Sequence, residues 1–364
     1  MEKLLLMRLL AFLLLLVPIV SHAQDTARTQ NIILVTWDGY RWQELFKGAQ
    51  KKLIRSKKLS KDPEALQNQF WAKDAEARRK QLTPFIWNTI GTQGAIIGNK
   101  SAGCSMQVTN PYRFSYPGYN EIFSGYGDKR VNSNDYPDNP NNTIFDYLQG
   151  TDKFKNKMAA FATWDAFPRI INSKRNGVPV YVNYETKNGI TACNGTEFNV
   201  WQTSVPACSP FCQTDTMTYH FAKEYMQKNH PRFTFIGFDE TDHFGHEGEY
   251  DAYLGAAHTL DAYLQDLWTF VQNDPQYKDN TTLIVTCDHG RGVTGTTFWR
   301  HHGVIILPAK QVWLAAIGPG IKAIGTVKKG KFYQKQIAAT LAKLLGYKFN
   351  TEAKIGAPID AILK

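Results

Sequence analysis

Residues 31–38 read Asn-Ile-Ile-Leu-Val-Thr-Trp-Asp, and two later stretches repeat the pattern. Residues 233–239 read Phe-Thr-Phe-Ile-Gly-Phe-Asp and continue through Glu-Thr-Asp242, and residues 282–288 read Thr-Leu-Ile-Val-Thr-Cys-Asp. Each is a short, nearly continuous run of β-branched, aliphatic and aromatic residues that stops on a carboxylate. Runs without polar alternation suit strands buried on both faces, as in a parallel sheet. A fourth run, Val312 to Ile317, halts at Gly318-Pro319-Gly320, a strong turn signal.

Between these runs the period changes to that of a helix. Tyr250, Leu254, Ala257, Leu260, Leu264 and Leu267 recur at helical spacing, as do Ile337, Leu341 and Leu344, after which Gly346 supplies a stop. Thr83-Pro84 opens another helix, with proline in the first turn. Alternating strands and helices predict an α/β fold with a central, mostly parallel sheet flanked by helices. Two segments read as additions to that core: the charged, helix-prone residues 47–82, and residues 173–215, rich in Asn, Thr, Gly and Pro. Long stretches of the second kind are usually functional, and this one is expected to border the substrate pocket.

The first residues predict export. Glu2, Lys3 and Arg8 precede an apolar run from Leu9 to Val20, followed by Ser21-His22-Ala23. A charged start, a short apolar stretch and a small-x-small exit describe a secretory signal over residues 1–23, too short to span a bilayer. About 340 residues follow, read as one catalytic domain over residues 24–364 in the periplasm or outside the cell. No later segment is apolar enough to cross a membrane. The chain carries a net charge of +10, but its basic clusters are scattered and no nucleic-acid module is evident. Of the five cysteines, Cys287 sits in an apolar run and reads as a buried thiol, whereas Cys104, Cys193, Cys208 and Cys212 fall in loop-like sequence where export would allow oxidation.

Chemistry is concentrated in the histidines. His243, His246, His289, His301 and His302, five of the nine, lie in short stretches mostly beside aspartates. In open α/β sheets, ligands bind beyond the carboxyl ends of the strands, and Asp38, Asp242 and Asp288 each stand at or just past such an end. A lone Asp or His there is usually a cap. Together, Asp38, Asp242, His246, Asp288, His289 and a histidine of the 301–302 pair make a metal centre of mixed oxygen and nitrogen ligands, suited to zinc, with manganese or iron as alternatives. Ser115-Tyr-Pro-Gly leads into a helical segment, so Ser115 is placed among backbone N–H groups that favour a phosphate. On local sequence alone it reads as an ordinary N-cap; beside a metal centre it reads as a nucleophile.

The order of these motifs resembles the alkaline phosphatase superfamily, and within it the nucleotide pyrophosphatase/phosphodiesterase branch and related bacterial phosphatases. The motifs are Asp38; Leu82-Thr83-Pro84; Ser115-Tyr116-Pro117; Asp242 to His246; Asp288-His289-Gly290; His302-Gly303; Gly318-Pro319-Gly320; and Leu344-Leu345-Gly346. The resemblance implies two divalent metal ions, one held by Asp242, His246 and His302, the other by Asp38, Asp288 and His289 with Ser115 as its reactive ligand. The histidine before glycine favours His302 over His301, and His243 is read as a neighbour. It further implies hydrolysis of a small anionic phosphate ester through a covalent phosphoserine, and an asparagine that holds a phosphoryl oxygen. Asn132, Asn134 and Asn139 compete for that role, and Asn134 is preferred. Tyr119 stands where a sulfatase signature carries arginine, which argues against sulfatase maturation. Rival readings are a sulfate- or phosphonate-ester hydrolase, a phosphoryl head-group transferase on the same scaffold, and an inactive metal-stabilised binding protein.

Overall fold

The computed structural model describes residues 29–182, 184–187, 190–193, 196–198, 214–293 and 295–364. The expected signal over residues 1–23, and Cys208 and Cys212, lie outside them. At the centre is an eight-stranded sheet, formed in chain order by β1 (Asn31–Trp37), β2 (Ala95–Ile97), β3 (Met158–Ala162), β4 (Val180–Tyr181), β5 (Phe233–Phe238), β6 (Thr281–Thr286), β7 (Leu314–Ile317) and β8 (Gly325–Thr326). Their spatial order is β8-β2-β7-β6-β1-β5-β3-β4. β1, β5 and β6 are buried along their whole length, as their unbroken apolar runs require.

The register of the three middle strands positions the site. Thr36 pairs with Thr286 and Trp37 with Phe238, all in parallel, so the carboxyl ends of β6, β1 and β5 finish on one line. The residues just past those ends, Asp38, Asp239 to Asp242 and Asp288, therefore share one edge of the sheet. β5 to β3 and β3 to β4 are also parallel.

The run from Val312 to Ile317 departs from the parallel pattern and from its reading as one strand. Leu314–Ile317 pairs antiparallel with β6 and with β2, while Gln311–Val312 joins a separate three-stranded sheet with Cys104–Gln107 and Gly330–Tyr333. Trp313 makes the transition and is buried, its indole N–H donating to the Tyr40 carbonyl at 2.9 Å. An apolar run reports burial but not strand direction, which is fixed by how the chain returns to the sheet.

Helices cover the sheet: α1 (Ser115–Ser124), α2 (Asp215–Asn229), α3 (Glu240–Glu247), α4 (Tyr250–Asn273) and α5 (Ile337–Leu344). α4 buries Leu254, Ala257, Leu260, Leu264 and Leu267, the stripe expected from its period. Within it Asp261 is buried and its carboxylate accepts from the Phe85 and Ile86 N–H groups at 2.6 and 3.0 Å, which caps the helix opened by Thr83-Pro84. Residues 47–82 contain three short helices, Lys51–Ile54, Pro63–Phe70 and Ala75–Leu82. Of residues 173–215, Val180–Tyr181 is an edge strand of the central sheet, and Tyr184–Lys187, Ile190–Cys193 and Thr196–Phe198 form an antiparallel meander.

Cys287 is buried with a free thiol, as its apolar run implies. Cys104 differs from its reading as a loop residue available for oxidation. It opens the strand Cys104–Gln107, is fully buried, and its thiol is free. Among the described residues no helix is long and apolar enough to cross a membrane.

Candidate metal centre and nucleophile

Asp38 leaves the end of β1 into a tight turn at Gly39, whose positive φ of +59° lets its N–H reach Asp288 Oδ1 at 3.1 Å. Asp242 sits in the first turn of α3, and His246, four residues on, returns to the same helical face. Asp288 and His289 follow β6, and both are fully buried. His302 arrives from the loop beyond and stacks on the His289 ring at 4.0 Å between centroids.

These side chains converge. The donor atoms of Asp38, Asp288 and His289 lie within 4.8 Å of one another, as do those of Asp242, His289 and His302. His289 Nε2 is 3.3 Å from both Asp38 Oδ1 and Asp288 Oδ2, and 3.9 Å from Asp242 Oδ1. His246 Nε2 is 3.0 Å from Asp242 Oδ2 and 2.8 Å from His302 Nε2. The two ligand sets thus adjoin, with His289 facing both. His301 and His243 are exposed, and the His301 carbonyl accepts from the Gly292 N–H.

The donors fit a cation. Asp38 Oδ1 and Asp288 Oδ2 are buried and accept no hydrogen bond, an expensive state for a carboxylate oxygen unless a cation meets it. Burial raises the Asp38 carboxyl well above the ordinary range, and the neighbouring Asp242 raises it further. Burial and then Asp38 do the same to Asp288. Three carboxyl groups this close cannot all ionise without compensating charge. Burial also pushes the His289 imidazole down to about 4 and His302 to about 2, so both are neutral, the form that binds metal.

Ser115 is the first residue of α1 and is buried, with Oγ 3.3 Å from His289 Nε2. α1 is seated against the metal loop: a Cβ on Gly118 would come within 2.6 Å of the Asp288 carbonyl. Of the three competing asparagines, Asn134 alone is hydrogen-bonded beside Ser115. Its Oδ1 accepts from the Tyr116 N–H at 3.0 Å. Asn139 is spent inside the fold on Ile170 and Asn141, and Asn132 is exposed.

Two contacts to the candidate ligands, from Tyr119 and Arg291, escaped the sequence reading. Tyr119 lies one helical turn past Ser115 and donates its phenol to Asp38 Oδ2 at 3.0 Å. Its spacing of four from the serine was the available signal. Arg291 is fully buried and donates from Nη1 to Asp242 Oδ1 at 2.7 Å and from Nη2 to the Asp242 carbonyl at 3.0 Å. Burial opposes ionisation of Asp242, but Arg291, followed by His302 and His246, outweighs it and holds the carboxyl well below its ordinary value. Oδ1 is thereby committed to the guanidinium, which leaves Oδ2 facing His246. Gly245 makes room for this pairing, since a Cβ there would sit 2.6 Å from the Arg291 guanidinium carbon.

Gly39→Ala tests how tightly the site is packed. A Cβ at residue 39 would stand 2.3 Å from Asp242 Oδ1. The substitution is expected to displace that carboxylate and reduce turnover on the order of 10²-fold. The left-handed backbone adds a stability cost of about 1–2 kcal/mol. Steady-state kinetics beside thermal unfolding check it, and unchanged turnover would show that Asp242 need not stay where it lies.

Comparison with known proteins places this geometry. A family model described as type I phosphodiesterase/nucleotide pyrophosphatase matches residues 60–300, more than half of the chain. That span includes Ser115, Asp242, His246, Asp288 and His289, while Asp38 and His302 lie outside it. A search of curated protein sequences finds no match. Among solved structures, murine ectonucleotide pyrophosphatase/phosphodiesterase 5, an inactive variant in complex with AMP, is 14% identical with a TM-score of 0.52, covering 92% of this chain and all of its own. A protein of the alkaline phosphatase superfamily from Vibrio parahaemolyticus is 14% identical at a TM-score of 0.53, covering 89% of this chain and 68% of the other. The lipoteichoic acid synthase LtaP from Listeria monocytogenes is 14% identical at 0.55, covering 89% and 74%. At such identities the structures speak for the fold, and the family model for membership. On a fold of the alkaline phosphatase superfamily, the chain belongs to the type I phosphodiesterase/nucleotide pyrophosphatase family.

Proposed function

We propose that the protein is an exported phosphoesterase that cleaves small phosphate esters, diesters or pyrophosphates ahead of monoesters, through a covalent phosphoserine on Ser115. The observation that supports this most directly is Ser115 Oγ lying 3.3 Å from His289 Nε2, at the junction of two groups of metal-ligand side chains. When bound, two divalent ions, zinc in first place, would supply Lewis-acid stabilisation of the serine oxyanion and of the leaving oxygen. Asp242, His246 and His302 would hold one, and Asp38, Asp288 and His289 with Ser115 the other.

The chain's own residues do the positioning, which is most of what phosphoryl transfer asks of a protein. Ser115 Oγ forms the bond to phosphorus as the ester oxygen's bond breaks, and water then takes the phosphoryl group from the serine. Asn134 Oδ1 is occupied by the Tyr116 N–H, so its Nδ2 is the end left to donate to a phosphoryl oxygen. Tyr119 steadies Asp38, and Arg291 fixes Asp242. Export rests on residues 1–23.

The deciding experiment pairs metal analysis by mass spectrometry with turnover of p-nitrophenyl mono- and diesters, before and after chelation. Near two zinc ions per chain, and diesterase activity that vanishes on chelation and returns with zinc, is the expected result. Metal retained with no turnover of either ester would sink the phosphoesterase reading in favour of a binding protein. The runner-up is transfer of a phosphoryl head group to an alcohol, whose scaffold LtaP shares. Release of an alcohol adduct instead of the free phosphorylated product would favour it.

A further inference from the structure

α3 carries Asp242 and His246, two of the three side chains assigned to one ion, so the seating of this one helix fixes most of that site. Its N-terminus is capped from outside. Asp239 stands at the N-cap position, and among the described residues its side chain makes no capping bond. The N–H groups go instead to Asp215, the first residue of α2, which is 1% exposed. Asp215 Oδ1 accepts from the Asp239 N–H at 2.8 Å, and Oδ2 from the Glu240 N–H at 2.9 Å. Glu240 returns the bond, its Oε1 accepting from the Asp215 N–H at 3.1 Å.

Two helix N-termini therefore face each other, an arrangement in which their positive ends repel. The Asp215 and Glu240 carboxylates lie between them, offset that repulsion and meet N–H groups that no helix can satisfy internally. Asp215 is held on its other side as well. Oδ1 also accepts from the Thr163 hydroxyl, just past the end of β3, at 2.6 Å, and that hydroxyl lies 2.8 Å from Thr218 Oγ1 in α2. One carboxylate thus ties the start of α3 to β3 and to α2.

The other ties of α3 near the site begin further along the helix. The Thr241 hydroxyl donates to the Asp38 carbonyl at 2.5 Å, and Arg291 grips Asp242. Both leave the Asp239 and Glu240 N–H groups to Asp215. Asp38, Asp288 and His289 come from the ends of β1 and β6, and among the described residues Asp215 bonds to neither strand.

We infer that Asp215 is a positioning residue for the metal site of Asp242, His246 and His302. It seats α3 through the paired carboxylates, while the site of Asp38, Asp288 and His289 stands without it. This role presupposes the two-ion centre proposed above.

Zinc titration of the full chain against a competing chromophoric chelator tests it, with thermal unfolding followed on the same preparations. Wild type should take two ions. Asp215→Asn keeps one acceptor and turns an amide N–H toward a backbone N–H. It should weaken one ion by about 10–100-fold, the usual effect of losing a group that orients metal ligands, and leave the other within about twofold. His246→Ala should keep only the ion of the Asp38 site, and adding Asp215→Asn to it should not weaken that ion further. Asp261→Asn is the control. It disturbs the same kind of buried carboxylate cap, at Phe85 and Ile86, and should lower the unfolding temperature with both ions kept. Thr163→Val removes one donor to Asp215, should weaken the same ion by a smaller factor, and carries the test if Asp215→Asn does not fold. Unchanged zinc affinity, equal weakening of both ions, or the same loss in Asp261→Asn would each overturn the role and leave Asp215 as a general contributor to stability. A wild type that binds fewer than two ions would overturn the two-ion centre itself, and this role with it.

Discussion

Ser115→Ala is expected to abolish esterase turnover, by at least on the order of 10⁴-fold, while the protein stays folded and keeps its metal. The magnitude follows from the proposed role: removing a nucleophile forfeits the covalent route and leaves only binding and electrostatic catalysis. Retention of fold follows from the contacts. Ser115 is buried, but its hydroxyl meets only His289 Nε2 among the described side chains, and the first turn of α1 is capped at Tyr116 N by Asn134 rather than by the serine. Kinetics on p-nitrophenyl diesters, with metal content and thermal unfolding measured on the same preparations, provide the check. A variant that retains even a tenth of the activity would remove Ser115 from the mechanism, and the cluster would then have to act on water directly.

Glu44→Ala carries the largest expected effect on stability. Arg41 and Glu44 are both fully buried and form a forked ion pair, Arg41 Nε donating to Glu44 Oε2 at 2.8 Å while Nη2 holds Oε1. The same carboxylate accepts from Tyr250 OH and Gln50 Nε2, at 2.9 and 2.8 Å. Arg41 Nη1 donates to the Gly292 carbonyl at 2.9 Å, and its backbone N–H to Tyr253 OH at 2.9 Å. The pair therefore ties the turn after Asp38 to the loop after His289.

Truncating Glu44 strands a buried guanidinium, with a cost of about 3–5 kcal/mol. Urea unfolding should show that loss, and metal affinity should fall with it, because the two tied loops carry ligands. Arg41→Met/Glu44→Leu should recover most of the stability, since the penalty lies in the unpaired charge more than in the absence of the pair. If the double variant is as unstable as the single, the contribution is one of packing and hydrogen bonding to the tyrosines.

How much of this was written in the sequence depends on the range over which each signal acts. Unbroken apolar runs ending at Asp38, Asp239 and Asp288 determined the buried parallel strands β1, β5 and β6, because burial on both faces leaves a local mark on composition. The rim of aspartates and histidines followed, since parallel strands in register must present their carboxyl ends together. The helical period of α4 and the Ser115 helix start were equally local.

Other features had no local mark. The antiparallel course of Leu314–Ile317 depends on where its partners lie, and a hydrophobic run is the same in either direction. Cys104 looked like a loop residue until Gly330–Tyr333 and Gln311–Val312 paired beside it. Three asparagines competed in the chain, with Asn134 preferred, and only the packing of residues 126–141 against α1 set it on the Tyr116 N–H. Arg291 carries no distinguishing mark in the sequence. Tertiary structure alone buried its guanidinium against Asp242, 49 positions away. Periodicity and residue type settle which face is buried and which chemistry gathers at a strand end. Which two buried charges meet is settled only by the closed fold, where desolvation leaves each no alternative partner.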